Sequence, residues 1–202
     1  QLKLRMVNGS HSAIAYLGAM AGWRTVDVAM AQPALRRYID TMMRDEIAPT
    51  LPPLPGLDID EWRVALLARF SNPALAHRTQ QIAMDGSQKI PLRLLGSVRE
   101  RLSAGLPLPR LALALAAWLH YLRGEDERGH AYAVEDPLAD ALVAHSRRAQ
   151  ALENAHARAD TFTRFAPVFG DLAGAPALVD AIAPALESLR TRGVRSTLEL
   201  LT

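Results

Sequence analysis

Apolar residues recur at helical spacing from the first turn of the chain. Leu4, Val7, Ile14, Leu17 and Met20 pattern a segment over residues 3–21, which Gly22 and Trp23 close. A short helix over 25–31 follows. Another is entered at Pro33 and runs to Ile47, since proline is tolerated in a first helical turn. The run PTLPPLPG (49–56) is too proline-rich for a helix and reads as a rigid turn. Asp58, with Glu61 three residues on, predicts a helix N-terminus before WRVALLARF. Further helices are predicted over 74–84, 88–104 and 109–123, from Pro137 to 149, and over 159–168, 176–191 and 194–201. Over 109–123 Ala and Leu alternate too densely for an exposed face, which predicts a buried helix. GEDERGHAYAVED (124–136) predicts a polar, mobile loop. No period-two run is long enough for a sheet, so the predicted class is all-α, one helical domain over residues 1–202.

Composition narrows the function classes. The chain is 50% apolar and 22% charged, with a formal net charge of +2. No Lys/Arg run marks a nucleic-acid or membrane surface, so neither is an expected partner. The longest apolar run, LALALAAWL (111–119), is about half of what a bilayer requires. There is no cysteine, hence no disulfide and no thiol chemistry, which fits a reducing, cytoplasmic setting. No glycine-rich strand-turn-helix fingerprint for a dinucleotide occurs, and the six histidines show no metal-ligand spacing, so no metal is expected.

Candidate chemistry gathers at the start. Lys3, Asn8 and His11 stand within KLRMVNGSH. On an ideal α-helix Asn8 lies about 140° and His11 about 80° around from Lys3, so the three can line one broad wall. On spacing alone other readings stand: a solvated terminal lysine, an asparagine that caps a turn, a histidine hydrogen-bonded in a core.

KLRMVNGSHSAIAYLG, together with FSNPALAHRTQQIAMDGSQKIPLRLL at 70–95, resembles the C-terminal helical domain of the polyol-specific long-chain dehydrogenases, the mannitol dehydrogenase and fructuronate (mannonate) reductase family. The shared pattern is a lysine, four residues, an asparagine, two residues and a histidine. The resemblance implies a metal-independent oxidoreductase of two domains. An N-terminal Rossmann-type domain of the same parent chain would hold NAD or NADP, and the present chain, which opens on Gln1, would be the C-terminal part, inactive by itself. It also implies roles. Lys3 would be general base, and in reduction general acid. Asn8 would donate to the developing alkoxide, and His11 would bond the reacting oxygen or orient Lys3. A lysine base needs desolvation, which a closed interdomain cleft would provide.

The second block implies substrate contacts. Lys89 matches a lysine that reaches the polyol. Eight positions earlier mannitol-type members carry an arginine, and here Gln81 stands instead. HRTQQIAMDGSQKIPLR looks more like the fructuronate reductase branch, whose sugar-acid substrate carries a carboxylate that Lys89 or Arg78 would pair with. Arg69 reads equally as a structural partner of Asp85. The other histidines read as structural or exposed. The competing reading, an all-α ligand-binding or regulatory module, needs a DNA-reading helix pair or a basic stripe, and neither is visible.

Overall fold

The computed structural model describes residues 1–53 and 55–201; Leu54, inside the expected proline-rich turn, and Thr202 lie outside the described residues. Among the described residues the chain is built of helices, with two isolated β-bridges, Thr25 with Arg78 and Glu125 with Ala131. A π-helical turn, Lys3–Asn8, runs without a break into α1 (Gly9–Met20). Next come α2 (Val26–Met30) and α3 (Pro33–Thr41), which continues as a π-turn at Met42–Ile47. The following helices are α4 (Ile59–Phe70), α5 (Thr79–Ala83), α6 (Gly86–Arg93) and α7 (Leu95–Ser103). The second half comprises α8 (Pro109–Tyr121), α9 (Ala139–Gln150), α10 (Ala155–Thr163), α11 (Ala166–Phe169) and α12 (Pro176–Leu200).

The all-round apolar pattern of the 109–123 segment has its physical outcome in α8, whose residues from Leu111 to Leu119 are all buried. Being apolar on every face, α8 is wrapped by others. It packs against α1 and α12, and α12 in turn packs on α10. Asp58 caps α4 as its sequence predicts, its carboxylate accepting the N–H groups of Asp60 and Glu61 at 2.9 and 3.0 Å. Gly193, at φ 77°, breaks α12 where the pattern separates 176–191 from 194–201.

Three expectations are corrected. Over 74–84 only Thr79–Ala83 is helical. Ala76 takes φ 38°, and the His77 carbonyl accepts the Val26 N–H, so this stretch is spent on bridging α2. The 88–104 segment starts earlier, at Gly86, and is divided at Leu94, where φ widens to −118° between α6 and α7. The segment expected at 159–168 begins at Ala155, because Asn154 accepts the Ala157 N–H at 2.9 Å, and it stops at Thr163 before resuming in α11.

The 124–136 loop is also not loose. Tyr132 stacks on Tyr121 with ring centroids 4.7 Å apart and donates to the Tyr121 carbonyl at 2.8 Å. Glu127 accepts the Val194 N–H at 2.5 Å. Asp136 reaches the start of α6. No helix among the described residues is long and apolar enough to cross a membrane.

Candidate active site

The opening turn departs from ideal α-geometry in a way that matters for its side chains. The Gly9 N–H bonds the Leu4 carbonyl, five residues back, which makes Lys3–Asn8 π-helical. A π-turn is wound more loosely, with about 4.4 residues per turn, so residues five apart lie about 50° around from one another instead of about 140°, which brings Asn8 closer to the face of Lys3. π-turns recur at functional sites because they re-aim side chains within a continuous helix. Lys3 is exposed, whereas Asn8 and His11 are half-buried on the flank of a segment whose Met6, Gly9, Ser10 and Ser12 are buried.

His11 rests on Phe70 of α4, ring centroids 4.4 Å apart, with the ring of His77 at 6.3 Å. Burial first, and then the nearby His77, Arg93 and Arg69, lower its pKa to about 4. It is therefore neutral at pH 7, with one ring nitrogen to donate and one to accept. Arg69, expected as a partner of Asp85, instead lines a recess with His11, Asn72 and His77.

Helix α6 supplies the facing wall. It crosses the start of α1 at Gly9, where a side chain would not fit: a β-carbon there would sit 2.9 Å from the Arg93 carbonyl oxygen. Its own start is fixed by Asp136, which accepts the Ser87 N–H at 2.7 Å and the Ser87 hydroxyl at 2.6 Å. A β-carbon on Gly86 would collide with the Trp118 indole, so α6 lies close against α8 as well. Lys89 projects from this helix, half-buried, donating to the Ile82 carbonyl at 3.2 Å, with Asp85 at 3.7 Å. Burial, reinforced by Arg93, holds the Lys89 amine below its ordinary pKa. One turn further on, Arg93 donates to the Ser12 hydroxyl at 3.1 Å.

The crossing thus packs α6, which carries Lys89 and Arg93, against the turns that carry Asn8 and His11, with Arg93 as the side chain that spans the two through Ser12 and Lys3 one turn earlier in the π-turn. Gln81 and Arg78 lie elsewhere. Gln81 is exposed on α5. Arg78, also exposed, precedes α5 and lines a separate polar recess with Arg24, Arg128 and His130. Sequence reading passed over Arg93 and the helix-capping Asp136. The i, i+4 spacing from Lys89 is a signal that marks Arg93 as its neighbour on the same helix face. Nothing local in the sequence marks Asp136.

The sequence matches the family described as the mannitol dehydrogenase C-terminal domain over residues 1–190. A mannitol 2-dehydrogenase of Phaeosphaeria nodorum is 40% identical over 197 residues, which cover 98% of this chain and 33% of that protein. A D-mannonate oxidoreductase of Escherichia coli is 40% identical over 201 residues, 99% of this chain and 40% of that protein. Among solved structures, a Pseudomonas fluorescens mannitol 2-dehydrogenase in ternary complex with NAD and D-mannitol superposes with a TM-score of 0.91 at 32% identity, covering 99% of this chain and 40% of that one. The chain spans between a third and two fifths of the length of these relatives. The likeness extends well beyond the two motif blocks, over nearly every helix described above, and the chain belongs to the mannitol dehydrogenase C-terminal domain family.

Proposed function

We propose that this chain is the substrate-side catalytic domain of an NAD- or NADP-dependent oxidoreductase that interconverts a ketose or ketohexuronate with its polyol or aldonate. The observation that carries the reading is the crossing of α6, the helix of Lys89 and Arg93, over the start of α1 at Gly9, between Asn8 and His11 in the chain. Two further supports are the relatives named for mannitol and mannonate chemistry and the neighbour that holds NAD and D-mannitol.

The dinucleotide has to be held mainly by other residues. Its phosphates are bound at a strand-to-helix turn of a parallel sheet, and among the described residues the two isolated bridges form no such sheet. The cofactor is therefore assigned to an accompanying N-terminal domain, and this chain to the sugar. When bound, the nicotinamide accepts or delivers the hydride at the sugar carbon.

The chain's own groups handle the proton and the oxygen, in metal-independent chemistry. In oxidation Lys3, uncharged, takes the hydroxyl proton as the carbon gives up its hydride; in reduction its ammonium returns the proton to the carbonyl oxygen. The exposed Lys3 needs a cover for this, which closure of the accompanying domain over the π-turn would supply. Asn8 donates its amide N–H to the oxygen as negative charge develops there. Neutral His11 bonds the same oxygen or fixes the Lys3 amine without adding a second positive charge. Lys89 contacts the rest of the sugar chain.

The test is to follow nicotinamide absorbance with the full-length polypeptide, offering fructuronate, mannonate, fructose and mannitol with each cofactor. Reversible turnover of at least one pair is expected. No turnover of any of them overturns the reading.

A further inference from the structure

We infer that Arg93 is the residue of this site that binds a substrate carboxylate, and that it selects a ketohexuronate and its aldonate over an uncharged ketose and polyol. The inference rests on the functional reading given above and names the substrate class of that same site.

Arg93 is well placed for this. It stands one turn beyond Lys89 on α6, its carbonyl abuts Gly9, and its guanidinium reaches Ser12, the residue next to His11. It is near enough to both His11 and Lys89 to disfavour their charged forms. A group bound by the fork of Arg93 therefore lies alongside a sugar placed between Asn8, His11 and Lys89.

Within the protein its hydrogen bonding is also only partly met. A guanidinium has five N–H donors in a planar fork and is best satisfied by a carboxylate. Other sheltered arginines reach carboxylates or carbonyls, and Arg110 does so too through Glu46 and the Leu201 carbonyl, although its Nε lacks a partner. Arg158 pairs with Glu187 and donates to the carbonyls of Leu152 and Glu153. Arg101 donates to the carbonyls of Pro107 and Asp45, and Arg5 pairs with Glu100 and donates to the Thr50 carbonyl. Arg93, half-buried, has the Ser12 hydroxyl as its hydrogen-bond partner, and among the described residues no carboxylate lies within ion-pair distance of it. No Arg93 nitrogen is among the buried unpartnered atoms, so the donors that Ser12 leaves free open to solvent, where a ligand can reach them.

The neighbouring cations are less suited. Lys89 is already engaged by the Ile82 carbonyl and has Asp85 nearby. Arg78 opens into a different recess. Arg93 alone of the three combines shelter, proximity to His11 and a free planar fork. A hexuronate differs from the matching hexose by a carboxylate in place of a terminal hydroxymethyl group, so one such cation is enough to discriminate.

The experiment measures kcat/KM for fructuronate and for fructose, and KM for the reduced cofactor, in the full-length enzyme and its Arg93→Met and Arg93→Lys variants. Wild type is expected to favour fructuronate. Arg93→Met should lower kcat/KM for fructuronate ten- to a hundredfold, about what a buried charged hydrogen bond supplies, mainly through KM. For fructose the loss should stay below about threefold, and Arg93→Lys should recover part of the preference. Equal losses on both sugars, accompanied by a lower melting temperature, would make Arg93 a structural clamp and overturn the inference. A tenfold rise in cofactor KM with the sugar ratio unchanged would give its fork to a dinucleotide phosphate and overturn the inference as well. Wild-type turnover of fructose but not fructuronate overturns the inference alone. Failure on every sugar overturns the functional reading beneath it.

Discussion

The buried carboxylate of Glu46, at the end of the π-turn that follows α3, accepts the backbone N–H of Arg110 at 3.0 Å. Its second oxygen accepts the Leu111 N–H at 2.8 Å. Glu46 thereby caps α8 from another element, satisfying two of the N–H groups that the helix start leaves open, Pro109 at its first position having none, and placing negative charge at the positive end of the dipole. Glu46→Ala should cost about 2–4 kcal/mol, since it strands two N–H groups inside the fold. Burial outweighs these bonds and holds the Glu46 pKa above its ordinary 4.5. The sign follows: a raised carboxyl pKa adds stability that is fully present below 4.5 and is lost as pH rises through the folded value. Denaturant titrations of Glu46→Gln should therefore show wild type gaining on the variant as pH falls toward about 4. A difference that is constant with pH would contradict this.

Acid should destabilise the fold through two histidines. His11 and His120 are both held at about 4, mainly by burial; His120 also faces Arg123 and Arg158. The unfolded chain binds protons as pH falls through 6.5, while these sites in the folded chain do not until about 4. Their contribution is thus complete above 6.5 and is lost between 6.5 and 4, with a slope of up to about 1.4 kcal/mol per pH unit for each. His120→Gln should remove about half of this slope in urea unfolding. An unchanged slope would show that His120 is not kept neutral.

Lys3 carries the proton in the proposed chemistry. In the full-length enzyme Lys3→Ala should lower kcat by at least ~10²-fold, the lower end for general acid–base catalysis, with little change in cofactor affinity. An added primary amine should restore part of the rate. No rescue, together with a pH profile that keeps the wild-type ionisation, would remove Lys3 from the mechanism.

Gly9→Ala tests the crossing that builds the site. Alanine is the better helix former by up to ~1 kcal/mol. Against that, its β-carbon would meet the Arg93 carbonyl at 2.9 Å and Leu94 Cδ2 at 3.4 Å. Backbone cannot give way as a side chain can, so overpacking of about 1–3 kcal/mol should win and the unfolding midpoint should fall. A stabilised variant would mean that α6 can move off α1 freely.

The isolated chain should give a helical circular dichroism spectrum and unfold cooperatively, because α8 and the helices around it form a continuous core within it. It should reduce neither fructuronate nor fructose when mixed with NADH. Turnover by this chain alone would refute the assignment of the cofactor to an accompanying domain.

What the sequence by itself determined is what depends on neighbours along the chain. The all-α class followed from apolar spacing, the burial of α8 from its all-round Ala/Leu pattern, and the start of α4 from Asp58. The candidate residues Lys3, Asn8, His11 and Lys89 came with two motif blocks, which the likeness along nearly the whole of this chain bears out as a mark of family. Tertiary structure decided whatever depends on contacts between distant segments. The π-turn that brings Asn8 closer to the face of Lys3 differs from an α-turn by a single hydrogen-bond register, too small a change for residue spacing to reveal. The loop at 124–136 looked mobile because its residues are polar, yet Asp136 is 49 positions from the Ser87 it caps. Glu46 is buried only because α8 arrives to use it. Arg93 is one more arginine in the sequence; packing of α6 against Gly9 leaves its guanidinium sheltered, beside His11, with a fork that no carboxylate among the described residues fills.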